Sequence, residues 1–442
     1  MGKAPILSLM VKLGLPTLVA QLINILYNMV DRIYIGHIPE VGTNALTGVG
    51  VTLPIITIIS AFSALSGAGG APLAAIALGK NDREKAERIM GNVVTMLLFF
   101  SIILVVGLYI FKVPVLYAFG ASDATCPYGD AYLSIYLIGT LFVQITLGLN
   151  MFITAQGRSK TAMCTVLIGA VLNIILDPIF IFGFRLGVRG AAFATILSQL
   201  VSCIWVLKFL TSVQSTLRIK RSMMKPDMKQ ILSIMALGVS PFIMQVTECM
   251  ISVVFNTNLQ RYGGDLYVGS LIILQSVMQL ITIPVNGFNQ GVQPIVSYNY
   301  GAGNKKRVKS IMTKLIVINV GYCVVFTMAV ILFPGMFAAI FTKDAALLAL
   351  VKRVLPIFVA GCLLFGLQMS SQTMFLGLGQ AKISLFMALL RKVILLIPLA
   401  VILPRFYQVM GIYWAEPIAD GTAAIICVTV LALNINKILS EK

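Results

Sequence analysis

The feature that most constrains this chain is a series of about a dozen apolar runs, most of them 20 residues or longer. A bilayer core of about 30 Å needs about 20 apolar residues in a helix that rises about 1.5 Å per residue. Hydrophobic residues fill 59% of the 442 positions and charged residues only 11%, against about 25% charged residues in soluble domains. No water-soluble core could hide that much apolar surface, so the sequence predicts an all-α integral membrane protein.

Twelve transmembrane helices are predicted from the points where apolar runs meet polar breaks. The longest polar break covers residues 218–229, close to the midpoint of the chain. We therefore predict a six-helix N-lobe over 1–217, a cytoplasmic linker over 218–229 and a six-helix C-lobe over 230–442. The predicted helices cover residues 12–35, 47–78, 91–118, 130–155, 161–183, 188–212, 230–258, 267–298, 308–333, 347–375, 381–404 and 410–437.

The net charge of +18 is explained by topology and does not indicate nucleic-acid binding. Lys and Arg residues stand in short clusters between apolar segments and do not form one amphipathic face. Counted over alternate loops, adjacent helix ends and both termini, 24 of the 33 basic residues fall on one side of the predicted topology. Basic residues concentrate on the cytoplasmic side of membrane proteins, so both termini are expected to be cytoplasmic.

Individual residues of the first half of the chain, including Pro, Gly and Lys positions, recur at a nearly constant offset in the second half. Residues recur at an offset of 222 in the pairs Pro72 and Pro294, Met90 and Met312, and Lys160 and Lys382, whereas Gly190 and Gly411 differ by 221. Because each half has an even number of helices, the two copies should share one orientation. They are then expected to be related by a pseudo-twofold axis along the membrane normal, with a substrate path between them.

Acidic residues inside the apolar runs mark the candidate functional sites, because an ionisable group in a bilayer costs at least a few kcal/mol. Five of the fifteen acidic residues lie in such runs: Asp31, Asp177, Glu248, Glu416 and Asp420.

A cation site is predicted in the first half from four of its polar residues. Asn173 and Asp177 lie four positions apart, which places them on one face of the fifth helix. Asp31 and Thr195 fall at a similar predicted depth, and oxygen-rich groups suit a hard cation. Repulsion between the two carboxylates would favour uptake of a proton in exchange for a metal ion or a drug. The alternative is a structural polar network that joins helices. Pro178 follows directly and can kink the helix.

The acids of the second half allow two interpretations. Glu416 and Asp420 are four positions apart on the twelfth helix, and Glu248 lies on the seventh. They either meet a cationic substrate in an aqueous cleft or pair with Arg391 or Lys392 of the eleventh helix. In the repeat, Asp31 corresponds to Asn256 and Thr195 to Glu416, so a paired-carboxylate site is expected in the first half only. The predicted substrate-cleft residues are Asn28, Glu248, Asn256, Gln368, Glu416 and Asp420.

Five segments, 26–37, 155–160, 173–178, 190–195 and 411–420, together resemble the multidrug and toxic compound extrusion (MATE) transporters, most closely their bacterial MepA-like branch. The resemblance implies export of organic cations and drugs by alternating access, driven by Na⁺ or H⁺ antiport. It also implies that Asp31, Asn173, Asp177 and Thr195 match the family's first-lobe cation site, with Na⁺ as the bound metal if Na⁺ is the coupling ion. A monomer without a cofactor is expected, in the plasma (inner) membrane of a prokaryote.

Other functions fit the residues less well. A lipid-linked saccharide flippase, or another flippase of the broader MOP superfamily, would be expected to line its cavity with several Arg or Lys residues for pyrophosphate. An enzyme is not expected, because hydrolytic metal sites usually need several histidines and the chain has one. The basic loop motif of major-facilitator transporters is absent from residues 79–85. One departure from some MATE relatives is that residues 363–368 of the tenth helix contain no carboxylate.

Overall fold

The computed structural model describes residues 1–440, and the regular elements in that range are helices. The first half contains α1 (Ile6–Gly36), α2 (Gly42–Gly79), α3 (Arg83–Ala118), α4 (Cys126–Ile138), α5 (Thr140–Ala155), α6 (Ser159–Pro178) and α7 (Val188–Thr211). The second half contains α8 (Met228–Gly263), α9 (Asp265–Gly301), α10 (Lys305–Leu332), α11 (Pro334–Ala339), α12 (Ala345–Val359), α13 (Cys362–Gly377), α14 (Ala381–Leu389) and α15 (Ile397–Ser440). Two π-helical segments follow α6 and α14, at Ile179–Gly183 and Leu390–Leu396.

Apolar helices long enough to cross a membrane account for the twelve predicted spans. Nine such helices are found between residues 1 and 440, and two further spans are formed by bent pairs. One of the nine is a continuous stretch of 60 residues from Ala381 to Ser440. Gln408 interrupts that stretch with a φ of 50°, so it contains both the eleventh and the twelfth predicted helix. The predicted all-α membrane fold is confirmed.

The fourth and tenth predicted helices, 130–155 and 347–375, are each broken in the structure. The axis bends by 60° between α4 and α5 and by 41° between α12 and α13. Both breaks lie at glycines where another helix approaches closely. A Cβ atom on Gly139 would lie 2.4 Å from Cγ2 of Ile196, and one on Gly361 would lie 2.8 Å from Cα of Pro417. The prediction of two continuous helices was wrong because this tertiary packing leaves no mark in an apolar run.

The internal repeat extends to the ends of the helices. Equivalent elements begin or end at the same offset as the sequence repeat, at Gly79 and Gly301, at Arg83 and Lys305, at Ala155 and Gly377, and at Ser159 and Ala381. Gly157 and Gly379 are related by that offset as well and adopt φ values of 80° and 70°, which glycine adopts without strain. The two halves therefore share these helix ends and this turn conformation as well as residues.

The helices form two compact units, Leu15–Phe242 and Met1–Gly14 together with the chain from Ile243 onward. In the first unit, one cluster of buried apolar side chains surrounds Phe152 and a second includes Ile35 and Tyr132. In the second unit, one cluster includes Phe255, Phe358 and Tyr413. Each unit therefore has its own apolar core.

The segment predicted as the linker is packed against α3 of the first unit. Thr95 Oγ1 donates to the carbonyl oxygen of Met224 at 2.7 Å, and the backbone N–H of Asp227 donates to Asn92 Oδ1 at 2.8 Å. Lys220 forms an ion pair with Glu87, whose side chain is buried. These contacts hold residues 220–227 in place, so the segment is an ordered part of the first unit.

Candidate functional site

Three helices of the first unit bring the four predicted cation-site residues together. Asp31 lies near the end of α1, Asn173 and Asp177 lie on the last turns of α6, and Thr195 lies in α7. Asn173 and Asp177 are 2% and 0% exposed, because the four-residue spacing turns both side chains to the buried face of α6. Residues from distant parts of the chain therefore form one cluster, which we call the carboxylate cluster.

Hydrogen bonds connect the members of the carboxylate cluster. Asn173 Nδ2 donates to Asp177 Oδ1 at 3.2 Å and to Thr195 Oγ1 at 3.4 Å. The side chains of Asp31 and Asp177 lie close to each other. Two ionised carboxylates at close range repel each other. A proton or another cation bound between them would reduce that repulsion.

Three buried oxygen atoms of the carboxylate cluster have no hydrogen-bond donor. They are Asp31 Oδ1, Asn173 Oδ1 and Asp177 Oδ2. A buried polar atom without a partner costs about 1–3 kcal/mol, and more when it carries charge. A cation bound between these oxygens would remove that cost, and two carboxylates with one amide oxygen suit Na⁺ or H⁺ better than a soft metal.

Two tyrosines that the sequence did not single out also belong to this region. Tyr132, on α4, lies close to Thr195, and Tyr27, on α1, lies close to Asp31. Tyr132 stacks on Tyr136 at a ring distance of 6.1 Å. The sequence signal for Tyr132 was its four-residue spacing from Tyr136, but such a spacing is equally typical of ordinary helix packing.

Pro178 ends the regular α-helix directly after Asp177. The chain continues as the π-helical segment Ile179–Gly183, in which the N–H of Phe184 bonds to the carbonyl oxygen of Ile179 at 2.8 Å. π-helical turns are rare and occur frequently at functional sites. The irregularity expected at Pro178 is therefore a change of helix type beside the carboxylate cluster.

The second unit contains a network of five charged residues, four of them buried, which we call the ion-pair network. Arg391 Nε donates to Asp420 Oδ1 at 2.5 Å, and its Nη2 donates to Glu416 Oε1 at 3.3 Å. Lys392 forms an ion pair with Glu248 and donates to the carbonyl oxygen of Met244 at 3.0 Å. Both acidic positions of the twelfth helix and Glu248 are thus paired with bases, as the second of the two interpretations expects.

A cavity of about 320 Å³ in the second unit opens onto the ion-pair network. Glu248, Glu416, Arg391 and Lys392 line one part of it. The remaining wall combines aromatic rings, thioethers and amides, from Phe255, Phe358, Phe365, Met278, Met369, Gln275, Gln279 and Asn286. The size and the mixture of apolar surface with few polar groups are typical of small-molecule sites.

The six predicted substrate-cleft residues fall in different places. Glu248 and Glu416 line the cavity, and the side chain of Glu248 is 62% exposed. Gln368 lines a separate small pocket together with Arg391, and its Oε1 atom has no hydrogen-bond partner. Asn28 and Asn256 are exposed and lie outside the cavity wall.

Asp420 differs from Glu416 among these six residues. It is fully buried, pairs with Arg391 and is not among the residues that line the cavity. Its Oδ2 atom has no hydrogen-bond partner. Asp420 therefore compensates the charge of Arg391.

Comparisons with known proteins agree on the family and the fold. The sequence profile of the MatE family matches residues 16–179 and 241–402. Multidrug export protein MepA of Staphylococcus aureus is 25% identical over 432 residues, covering 98% of this chain and 94% of that protein. The MepA protein of Staphylococcus haemolyticus is 26% identical over 441 residues, covering 100% and 96%.

Solved structures extend the similarity to the fold. A crystal structure of MATE in the bent conformation superposes with a TM-score of 0.93 at 21% identity, covering 99% of this chain and 97% of that one. An outward-facing multidrug resistance MATE transporter of the MOP superfamily superposes with a TM-score of 0.87 at 23% identity, covering 98% and 96%.

Proposed function

This chain belongs to the MatE family, and on that premise we propose that it is a secondary active multidrug efflux transporter. It exports organic cations and drugs in exchange for Na⁺ or H⁺ and works by alternating access. The curated relatives of near full length carry the name Multidrug export protein. The observation that carries the coupling part of the proposal is the carboxylate cluster, in which the buried Asp177 and the half-buried Asp31 lie close together with no base among their hydrogen-bond partners.

The carboxylate cluster supports the role of coupling-ion site. Asp31 and Asp177 provide negative charge, and Asn173 and Thr195 provide neutral oxygen atoms beside them. A bound Na⁺ or H⁺ compensates one of the two negative charges and so reduces the repulsion when the site faces the side of high ion concentration. Its release on the other side restores repulsion between the two carboxylates, which favours the return conformation.

The cavity beside the ion-pair network is our proposed substrate site. Glu248 is the exposed acid of that wall and is the group available to an organic cation. Aromatic rings such as Phe358 attract cations through their faces, and flexible Met side chains adapt to ligands of different shape. These properties suit a transporter with several substrates.

The membrane arrangement is also part of the proposal. Arg391 and Lys392 are themselves buried and form ion pairs. They are therefore left out of the count of basic residues in the loops. Leaving these two out still gives a large excess of basic side chains on the same side of the membrane, which supports a cytoplasmic location of both termini. We further propose that the protein lies in the inner membrane. Each proposed site lies within one unit of one chain, so we propose a monomer that needs no cofactor beyond its coupling ion.

A flippase function receives less support from the same residues. Pyrophosphate recognition needs free basic groups, whereas Arg391 and Lys392 are matched by three carboxylates. The network therefore carries a formal charge of −1, which favours a cationic ligand.

The coupling proposal is tested with purified protein in liposomes. Ethidium transport is measured under a Na⁺ gradient and a proton gradient imposed separately, for the wild type and for Asp177→Asn. We expect the variant to lose gradient-driven transport but to keep ethidium binding. Glu40→Gln, which removes the same charge from an exposed loop residue, should behave as the wild type. Unchanged gradient-driven transport in Asp177→Asn would remove the carboxylate cluster from the coupling role.

A further inference from the structure

A second cavity lies in the first unit, far along the chain from the carboxylate cluster. Its volume is about 350 Å³, and it is bordered by the end of α2, the start of α3 and the start of α8. Three lysines form its polar wall: Lys80, Lys85 and Lys229. Its apolar wall includes Leu73, Ile76 and Ile89. We call this feature the lysine groove.

The charge of the lysine groove is not compensated by ion pairs. None of the ion pairs between residues 1 and 440 includes Lys80, Lys85 or Lys229. The nearest acids in the sequence have other partners. Asp82 and Asp227 accept hydrogen bonds from the backbone N–H groups of Lys85 and Lys229, both at 3.0 Å.

Two further acidic residues near the groove form ion pairs with other basic residues. Glu84 pairs with Arg88, and Glu87 pairs with Arg83 and Lys220. All three lysines are exposed, so their ammonium groups can reach a ligand in the groove. The groove therefore presents about three positive charges beside an apolar wall.

The position of the groove defines the kind of anion that fits. The loop between α2 and α3 is only three residues long, residues 80–82, and it connects two membrane-spanning helices. The groove therefore lies at the edge of the bilayer, where lipid headgroups are present at high local concentration. Basic pockets between membrane helices bind anionic lipid headgroups.

A hydrogen-bond acceptor in the groove adds to this chemistry. Gln230 lines the groove, and its buried Oε1 atom has no donor. We propose that the lysine groove binds one anionic phospholipid with a hydroxylated headgroup. Its phosphate contacts the lysines, a headgroup hydroxyl donates to Gln230, and an acyl chain lies along Leu73 and Ile76.

The experiment measures lipid binding to the full-length protein in detergent by native mass spectrometry and by the shift in unfolding temperature. Phosphatidylglycerol is the probe, and phosphatidylcholine and inorganic phosphate are the comparison ligands. We expect one tightly bound phosphatidylglycerol, with at least tenfold weaker binding of the other two. The combined variant Lys80→Gln, Lys85→Gln, Lys229→Gln should weaken phosphatidylglycerol binding at least tenfold.

A matched control separates a defined site from diffuse charge. The variant Lys305→Gln, Lys306→Gln, Lys309→Gln removes three exposed lysines from the corresponding loop of the second half and should bind the lipid as the wild type does. The variant Lys80→Arg, Lys85→Arg, Lys229→Arg keeps the charge and should keep binding. Equal losses in both glutamine variants, or equal protection by inorganic phosphate, would overturn the proposal.

Discussion

The two units place charged groups on equivalent helices but balance the charge in opposite ways. In the first unit, α1, α6 and α7 bring Asp31 and Asp177 together, and no base is among their hydrogen-bond partners in the described chain. In the second unit, the counterparts of these helices bring three acids together with Arg391 and Lys392. The acids of the first unit thus have no base bonded to them, whereas those of the second unit are paired with two bases.

Local packing bears on why the carboxylate cluster has no counterpart of Arg391. Gly169 is the counterpart of Arg391 in the repeat, and a Cβ atom on Gly169 would lie 2.7 Å from Oγ of Ser202. A basic side chain at this position would have to displace the Ser202 hydroxyl. The same position of the repeat therefore has less room for a side chain in the first unit.

The largest effect is expected when the ion-pair network loses its central base. Arg391→Met leaves Asp420 and Glu416 buried without their partner, and breaking a buried ion pair costs about 3–5 kcal/mol. The unfolding temperature of the purified protein measures this loss. The combined variant Arg391→Met, Glu416→Gln, Asp420→Asn removes the charges together and should recover most of the stability. A stable single variant would contradict the ion-pair network.

The next effect concerns coupling by the first unit. Asp31→Asn should lower the gradient-driven transport rate about 100-fold, equivalent to about 2.7 kcal/mol, because one acid alone cannot alternate between repulsion and neutralisation. Transport is measured at saturating ethidium. Glu248→Gln is the control from the second unit, and it should change the KM for ethidium but keep the dependence on the ion gradient. Equal loss of gradient dependence in both variants would remove the difference between the units.

A smaller effect is expected when Glu248 loses Lys392. In Lys392→Met the carboxylate of Glu248 has no ion-pair partner, so its negative charge is no longer compensated by a base when a cationic ligand enters the cavity. Tetraphenylphosphonium should bind about tenfold more tightly, equivalent to about 1.4 kcal/mol. Calorimetry measures the affinity, and the double variant Lys392→Met, Glu248→Gln should lose the gain. An unchanged affinity would mean that the pair is purely structural.

The smallest effect is expected from Asn173→Leu, which gives the first unit an apolar residue like Leu395 of the second. It removes two long hydrogen bonds of 3.2 and 3.4 Å, together worth about 1 kcal/mol. The apparent affinity for the coupling ion should fall about fivefold while the maximal transport rate stays close to that of the wild type. Thr195→Val serves as the comparison, and it should give a similar or smaller change.

Much of the fold was predictable because its causes are local. Apolar runs define the spans, and glycines such as Gly157 and Gly379 recur where the turns need a positive φ. The grouping of Asp31, Asn173, Asp177 and Thr195 was predictable from helix periodicity and depth. What the sequence could not give were contacts between helices, such as those that break α4 from α5 at Gly139 or cover Asp420 with Arg391.

Hydrogen bonds that recur in both halves could not be predicted from the sequence either. Asn150 Nδ2 donates to the carbonyl oxygen of Ala162 at 3.1 Å, and Gln372 Nε2 donates to that of Ser384 at 3.2 Å. The donors and the acceptors of these two bonds are each related by the offset of the repeat, but an amide in an apolar run does not reveal which carbonyl it reaches. Only the coordinates show that the repeat extends to individual hydrogen bonds.

The matched turns at Gly157 and Gly379 bear on how this molecule arose. A shared left-handed turn, shared helix ends and a shared amide contact indicate one six-helix ancestor that already folded with these details. Two identical copies of that ancestor would have to carry the same side chains at every position. Joining the copies in one polypeptide allowed the later acquisition of acids without bases in one and of balancing bases in the other.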